Sequence, residues 1–396
     1  MTSSGKPVRV LYSFPHKIGA QRICYAAWQH VQEMANSGVK VIVHPGVLQR
    51  PFSPEVEVRP TLSLGRFRIP YKLLGRTGVI ELHDWIVARR LPQLVGKIDL
   101  IHAFPFGALR TLKAARKLGI PTVLERCNAH TEYAYTVVQK ECERLGITMP
   151  PGHEHDYNAK LLRLEEAEYA AADYLFCPSE FVARTFLERG FPAKKLARFQ
   201  YGYDDKACYP PKEPRATGKG LTVLFAAGCA PRKGLHYALE AWLKSPACQD
   251  GTLLVAGEFI PHYAEKLAPM LSHPSVKLIG FRKDLADVMR SADILVLPSI
   301  EEGSALVTYD ARGCGCVLLV SDASGAVCKH MENALVHPVS NVDALTEHFT
   351  LMHNDRALLE KLRAASLATA NELTWAAAGR KMGEEYRSIL ASRNQT

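Results

Sequence analysis

Short apolar runs, many of them rich in β-branched residues, alternate with segments of helical periodicity along the whole chain. Most runs are apolar at nearly every position, which is typical of parallel strands that are covered on both faces. This alternation predicts an α/β fold with two doubly wound sheets. The predicted strands span residues 8–14, 39–44, 99–103, 122–125, 174–179 and 198–201, and then 221–227, 252–256, 276–280, 294–298, 317–321 and 334–337. Helices are predicted between and after them, for example over 20–36, 235–244 and 375–390.

A polar segment rich in proline and glycine, residues 210–220, separates the two strand patterns and predicts a linker. With 396 residues the chain is too long for one ordinary core, so two domains are expected. We therefore predict an N-terminal Rossmann-like domain over 1–209 and a C-terminal Rossmann-like domain over 221–396. Because such sheets bind ligands at the carboxyl ends of their strands, the site is expected in the cleft between the domains.

Composition and motifs exclude several classes of protein. Apolar residues make up 47% of the chain, yet no apolar run approaches the ~20 residues that span a bilayer. Ten scattered cysteines without a CxxC pair, and a start without a secretory signal, predict a cytoplasmic protein with reduced thiols. The His-x-His in segment 153–156 is too weak a pattern to predict a metal site. Motifs of P-loop proteins, α/β-hydrolases and dehydrogenases are absent.

The net charge of +9 lies in the first half of the chain, where residues 1–210 hold 29 basic and 20 acidic side chains. Residues 211–396 hold 20 of each. Segment 65–91 interleaves cations with apolar residues, which favours contact with an anionic membrane surface or an anionic acceptor. A solvated helix face over an ordinary core explains the same pattern. No nucleic-acid-binding motif accompanies the charge, so a nucleic acid is not an expected partner.

Two predicted turns at the carboxyl ends of C-terminal strands carry charged residues. After strand 294–298, a Gly/Ser turn opens a helix whose first N–H groups can hold an anion. Glu302 lies at this turn, and Asp310 follows eight residues later, about two helical turns along nearly the same face. After strand 221–227, a Gly/Pro turn carries Arg232 and Lys233. Cations, backbone N–H groups and two carboxylates together describe a site for a sugar nucleotide.

The stretch after strand 294–298 resembles the acid-x7-acid motif of the family-4 retaining glycosyltransferases. Glu302, Gly303 and Leu306 match this motif, and Asp310 stands where the family usually has Glu. The resemblance covers roughly residues 220–390 and is weaker before them. It implies the GT-B fold, in which two Rossmann-like domains face each other and the final helix, here about 375–391, packs back on the first domain.

Further residues match positions with which the family binds the donor. Lys233-Gly234 matches the family's Lys-Gly pair, which grips the donor diphosphate. Cys229 holds the position where the family usually has an Arg, and Arg232 is expected to replace it. The matched positions near phosphate, base and transferred sugar are Gly19, Gly257, Phe281, Arg282 and His130.

The resemblance implies retaining, metal-independent transfer of a hexosyl-type sugar from a UDP- or GDP-linked donor to a hydroxyl acceptor, with no cofactor. Lys233, Arg232 and the N–H groups of Gly303, Ser304, Ala305 and Leu306 would stabilise the diphosphate. Glu302 would bind hydroxyls of the donor sugar, Asp310 would bind the ribose diol, and His130 would face the transferred sugar. Two alternatives stay open: a GT-B chain that binds sugar nucleotides or a partner subunit without catalysis, and a sugar phosphorylase or epimerase of this fold.

Overall fold

The computed structural model describes residues 6–64, 67–68, 71–213 and 220–393. These residues form two parallel sheets, one in each half of the chain, so the predicted α/β fold with two doubly wound sheets is confirmed. The strands of the first sheet are β1 (Arg9–Ile18), β2 (Lys40–Leu48), β3 (Glu57–Val58), β6 (Leu100–Ala103), β7 (Thr122–Glu125), β8 (Tyr174–Cys177) and β9 (Leu196–Arg198). They are ordered β3-β2-β1-β6-β7-β8-β9, and β4 (Ser63–Leu64) and β5 (Phe67–Arg68) form a separate antiparallel pair.

The second sheet consists of β10 (Thr222–Ala226), β11 (Thr252–Ala256), β12 (Val276–Leu278), β13 (Ile294–Leu297), β14 (Val317–Ser321) and β15 (Ala334–His337). Its order among the described residues is β12-β11-β10-β13-β14-β15. In both sheets the chain moves first to one side of the starting strand and then to the other. This reversal opens a crevice at the carboxyl ends of the central strands, where open α/β sheets bind ligands.

Helices cover both sheets. In the N-terminal half they are α1 (Ile23–Asn36), α2 (Tyr71–Arg90), α3 (Leu109–Lys117), α4 (Thr131–Leu145), α5 (Ala159–Ala171) and α6 (Glu180–Leu187). In the C-terminal half they are α7 (Leu235–Lys244), α8 (Tyr263–Leu271), α9 (Leu285–Ser291), α10 (Leu306–Gly313), α11 (Val342–Asn354), α12 (Arg356–Ala368) and α13 (Trp375–Arg393). Within the described residues, none of these helices has both the length and the apolar character required to cross a bilayer.

Helix α13 follows the second sheet in sequence but packs on the first half of the chain. Its Tyr386 hydroxyl lies 2.7 Å from Nδ1 of His102, a fully buried side chain on β6. Its Gly379 lies against the backbone of Glu33 on α1, so closely that a Cβ would overlap the Glu33 carbonyl group. The final helix is therefore part of the hydrophobic core around α1 and the first sheet.

Several boundaries differ from the sequence prediction for physical reasons. Strand β1 extends four residues beyond 14, to Ile18, because it continues to pair with β2 through an irregular register. Helix α1 accordingly begins at Ile23 rather than at 20. The predicted linker 210–220 falls partly on residues 214–219, which lie outside the described residues. The same holds for residues 65–66 and 69–70 of the basic segment.

The close approach of α13 to α1 predicts a position-specific effect of adding one methyl group. Gly379→Ala should lower the free energy of unfolding by about 1–3 kcal/mol, because the new Cβ overlaps backbone that cannot rotate away. Gly383→Ala on the same helix is the matched control, since its Cβ would lie 3.1 Å from a methyl group of Val39. Urea denaturation of both variants checks this. Equal stabilities would contradict the packing, because helix propensity alone favours Ala at both positions.

Candidate active site

Two loops at the crevice of the second sheet bring the predicted cations and carboxylates together. The turn after β10 ends in a short 3-10 helix, Pro231–Lys233, and the turn after β13 carries Glu301 and Glu302. Lys233 Nζ forms an ion pair with Glu302 Oε1. Arg232 Nη1 lies 3.1 Å from Glu302 Oε2. The structure therefore brings Arg232, Lys233 and Glu302 together in one group, the Lys233–Glu302 group, at the edge of the sheet where both turns were expected.

Burial gives this group its electrostatic character. Burial lowers the pKa of the Lys233 ammonium well below its ordinary range, and the adjacent Arg232 lowers it further, while Glu301 and Glu154 oppose the shift. A cation in this position needs an anion in contact to stay charged. Glu302 supplies that anion here, and the phosphates of a bound nucleotide could supply it instead.

Cys229 explains why Arg232 is the residue that reaches the group. The Cys229 side chain is fully buried, and its thiol lies 3.7 Å from the carbonyl oxygen of Ala227, on the interior side of the loop. Burial raises the pKa of this thiol to about 12, so it stays uncharged. The position of the family's usual arginine therefore supplies no cation in this chain.

Glu301 is a site residue that the sequence analysis missed. Its side chain is fully buried, and Oε1 accepts a hydrogen bond of 3.0 Å from the N–H of Ala129 at the end of the β7 loop. Oε2 lies 3.2 Å from His155 Nε2 and 3.3 Å from Arg232 Nη1. Burial would raise the pKa of Glu301, but His155, Arg232 and the Ala129 N–H outweigh it and hold the pKa at about 2. Glu301 is thus an ionised carboxylate that joins both halves of the chain.

The loop between α4 and α5 reaches the same group. Besides His155, it brings Glu154 Oε1 to 3.5 Å from Arg232 Nη2. Sequence reasoning treated segment 153–156 only as a weak metal motif, because nothing in the sequence places this loop beside a turn far along the chain. Among the described residues, no group of three or more His, Cys, Asp or Glu side chains is arranged to hold a metal ion.

The turn between β13 and α10 is called the donor turn below. Its Gly303 allows it to touch the first domain. A Cβ on Gly303 would overlap the carbonyl oxygen of Cys127, and the Gly303 carbonyl accepts a hydrogen bond of 2.6 Å from Ser179 Oγ. Both partners belong to loops at the carboxyl ends of strands in the first sheet. The two crevices therefore face each other across this glycine.

The N–H groups of the donor turn are less available than the sequence predicted. The Ala305 N–H donates to the carbonyl of Ser324 at 3.2 Å and is engaged in this structure. The Ser304 hydroxyl lies 2.7 Å from the Gly325 carbonyl and 2.8 Å from the Tyr309 hydroxyl. Within the part of the chain that the structure describes, the N–H groups of Gly303, Ser304 and Leu306 have no hydrogen-bond acceptor. These three remain candidates for an anion.

His130 lies among aromatic side chains in this structure. It lies at the start of α4 after β7, and its ring packs edge-on against Tyr169 and Phe186 and at a tilt against Phe191. Only 3% of the residue is exposed, and burial, with Arg189 and Arg126 nearby, lowers its pKa to about 3. The ring is therefore a neutral member of an aromatic cluster and does not join the Lys233–Glu302 group. The neighbouring Ala129 N–H, not His130, binds Glu301.

Asp310 lies on α10, one helix away from the ion pairs. Burial raises its pKa to about 7, nearby Asp204 raises it further, and a hydrogen bond with the Cys208 thiol opposes the shift. Asp310 is therefore poised between a neutral and an ionised form near neutral pH. Asp310, whose side chain is shorter than the family's usual Glu, is therefore more buried than an acid on an exposed helix face.

The remaining predicted positions lie around the crevices. Gly19 is in the loop between β1 and α1, and its N–H donates to the Cys24 carbonyl at 2.8 Å. Gly257 directly follows β11, and its N–H donates to the Gly280 carbonyl at 3.0 Å. Phe281, the residue after Gly280, is 67% exposed. Arg282 forms an ion pair of 2.5 Å with Asp284. None of these four touches the Lys233–Glu302 group, so a role for them requires a ligand that spans the crevice.

Both halves of the chain match known family models. Residues 26–206 match the model described as Glycosyltransferase Family 4, and residues 220–355 match the model described as Glycosyl transferases group 1. The crystal structure of HepE from Anabaena in complex with UDP has a TM-score of 0.64 and 16% identity, and the match covers 96% of this chain and 100% of that chain. This likeness confirms the GT-B fold.

Two curated proteins illustrate the range of relatives. An N,N'-diacetylbacillosaminyl-diphospho-undecaprenol alpha-1,3-N-acetylgalactosaminyltransferase of Campylobacter jejuni is 33% identical over 95 residues, which are 24% of each chain. A D-inositol 3-phosphate glycosyltransferase of Streptomyces bingchenggensis is 23% identical over 374 residues, which cover 87% of this chain and 76% of that protein. The alignments with two further curated relatives span only 16% and 21% of the length of those proteins.

The raised pKa of Asp310 predicts a pH-dependent contribution to stability. Because its pKa is about 7 when folded and 3.8 as a free side chain, its contribution is fully present below pH 4 and is lost as the pH rises through 7. Asp310→Asn should therefore match the wild type near pH 4 and exceed its thermal midpoint near pH 8. Asp205→Asn, which removes an exposed carboxylate nearby, is the control. Parallel stability profiles for wild type and Asp310→Asn from pH 4 to 8 would contradict the assignment.

Proposed function

The chain resembles the family-4 glycosyltransferases over both of its halves, and on this premise we propose that it is a retaining, metal-independent hexosyltransferase. The donor is a nucleoside diphosphate sugar, linked to UDP or GDP, and the acceptor is a hydroxyl group. One observation carries the proposal: Lys233 and Arg232 converge on Glu302 at the crevice of the second sheet. Two cations beside a carboxylate suit a diphosphate joined to a sugar.

In the proposed reaction the bond between the anomeric carbon and the diphosphate breaks while the acceptor oxygen attaches to the same face of the sugar. The departing phosphate takes the acceptor proton, so no protein nucleophile is needed. Negative charge grows on the diphosphate in the transition state. Lys233, Arg232 and the N–H groups of Gly303, Ser304 and Leu306 are fixed by the fold before the reaction, and such preorganised groups are the usual source of transition-state stabilisation.

The carboxylates have separate roles in this proposal. Glu302 binds hydroxyls of the donor sugar once the diphosphate replaces it as the partner of Lys233. Asp310 binds the ribose diol in its ionised form. The role of His130 beside the transferred sugar stays a prediction, and its ring lies among aromatic side chains in this structure. A GT-B protein that binds sugar nucleotides without catalysis is the alternative, and the assay below distinguishes the two.

The acceptor is proposed to be a lipid-linked or polysaccharide precursor met at an anionic surface. The Campylobacter relative is named for a diphospho-undecaprenol acceptor. On α2, the Arg89 guanidinium lies over the ring of the half-exposed Trp85, 4.9 Å from its centroid, and Arg76 is exposed. Cations beside an exposed indole are typical of helices that rest on a membrane interface. Arg66 lies outside the described residues, as do the side chains of Arg68 and Lys72.

We expect Lys233→Ala and Glu302→Ala each to lower kcat by about 10²-fold or more, because each removes an oriented group next to the diphosphate. The measurement is release of UDP or GDP from a panel of sugar nucleotides, with and without candidate acceptors. Lys329→Ala and Glu332→Ala remove an exposed ion pair of 3.3 Å and serve as matched controls. Near-wild-type turnover of both site variants at saturating donor would exclude these roles. Binding of a sugar nucleotide by the wild type without any release would favour the non-catalytic alternative.

The membrane role predicts that binding to vesicles increases with their content of anionic lipid and decreases with salt, because each cation near the surface contributes about 1 kcal/mol and is screened by ions. Arg76→Glu combined with Arg89→Glu should reduce co-sedimentation with the vesicles. Lys361→Glu combined with Arg380→Glu changes the net charge equally at exposed positions elsewhere and should reduce it much less. Binding that ignores lipid charge, or equal loss in both double variants, would indicate a soluble acceptor and a solvated helix face.

A further inference from the structure

The loop between α4 and α5 holds a buried imidazole between two carboxylates. His155 Nε2 lies 3.2 Å from Glu301 Oε2, and His155 Nδ1 lies 3.6 Å from Glu154 Oε1. The His155 side chain is only 3% exposed, and the Glu301 side chain is not exposed at all. No position of this loop belongs to the motifs that carry the family resemblance.

We propose that His155 is a positioning residue for Arg232 and acts on it through Glu301. The chain of contacts is direct: His155 donates to Glu301 Oε2, and the same oxygen lies 3.3 Å from Arg232 Nη1. Arg232 Nη1 also donates to the Glu301 carbonyl at 3.0 Å, so two acceptors of one residue aim the guanidinium. This inference rests on the proposed function, in which Arg232 faces the donor diphosphate.

Because Cys229 supplies no cation, Arg232 has to be directed into the crevice from another position. A cation at the family's usual position follows the strand directly, whereas Arg232 extends from a 3-10 turn and must be directed into the crevice. A buried carboxylate directs it only while ionised, and burial opposes ionisation. Two donors from the first domain, the Ala129 N–H and His155, maintain the charge of Glu301. The first domain thereby sets the direction of a cation that belongs to the second.

The test compares two substitutions of the same residue in the full chain. His155→Leu removes the donor, whereas His155→Gln keeps an N–H that can reach Glu301. Loss of a hydrogen bond to a charged group corresponds to about a tenfold to hundredfold change. We therefore expect His155→Leu to lower kcat/KM by about that factor, and His155→Gln to recover most of it. His153→Gln, in the same loop but without contact to Glu301, is the control. If His155→Leu does not fold, His155→Asn, whose shorter side chain holds its donor away from Glu301, replaces it.

Two further measurements separate positioning from a merely structural role. Calorimetric titration with UDP, GDP, UMP and GMP should show weaker binding of the diphosphates by His155→Leu and little change for the monophosphates, because in the proposed function Arg232 stabilises the diphosphate, whose second phosphate the monophosphates lack. In an Arg232→Gln background, His155→Leu should have little additional effect, because the residue through which it acts is already removed.

The outcomes are distinguishable from failure of the proposed function. A wild-type chain that neither releases nor binds UDP or GDP overturns the proposed function and, with it, this inference. An active wild type with an equally active His155→Leu variant overturns only the inference. Equal loss of mono- and diphosphate affinity, or full additivity with Arg232→Gln, also overturns it, since His155 would then support the fold in general.

Discussion

The burial of one ionised carboxylate, Glu301, is the constraint on which the arrangement of the site depends. An isolated carboxylate is very unfavourable in a protein interior, so every oxygen needs a donor. Glu301 obtains its donors from three separate places: the loop after β7, the loop between α4 and α5, and the turn after β10. In the relative position that the structure shows, the buried charge is therefore satisfied jointly by both domains. The same position brings the cations of one domain opposite the loops of the other.

Close backbone contact fixes the remaining distance between the domains. At Gly303 the donor turn rests on the carbonyl of Cys127, and no side chain separates them. Interiors pack at the density of organic crystals, so one extra methyl group at such a point would move whole loops. Electrostatic and steric constraints act here on adjacent residues of one turn, which is why charge and shape of the site are set together.

The sequence predicted single strands and turns, and it missed contacts between residues that are far apart in the chain. The strand bounds 122–125, 252–256, 317–321 and 334–337 agree with the structure, because each is a short apolar run closed by polar residues. Lys233 and Glu302 could be placed together because both follow strands of one sheet. Glu301 and His155 could not, since their contact joins residues 146 positions apart across two domains. His130 was predicted from loop position, and the direction of its ring depends on aromatic partners that sequence spacing does not reveal.

The packing of α13 on the first domain has a consequence for the order of events during synthesis. His102 on β6 finds its partner, the Tyr386 hydroxyl, 284 residues later in the chain. The ribosome must therefore synthesise the second sheet and its helices before α13 can cover α1 of the first domain. Until then the apolar surface of the first domain that α13 covers stays exposed to solvent. The core of the first domain is in this sense completed only when α13 has been made, and a chain truncated before α13 lacks part of that core as well as the helix.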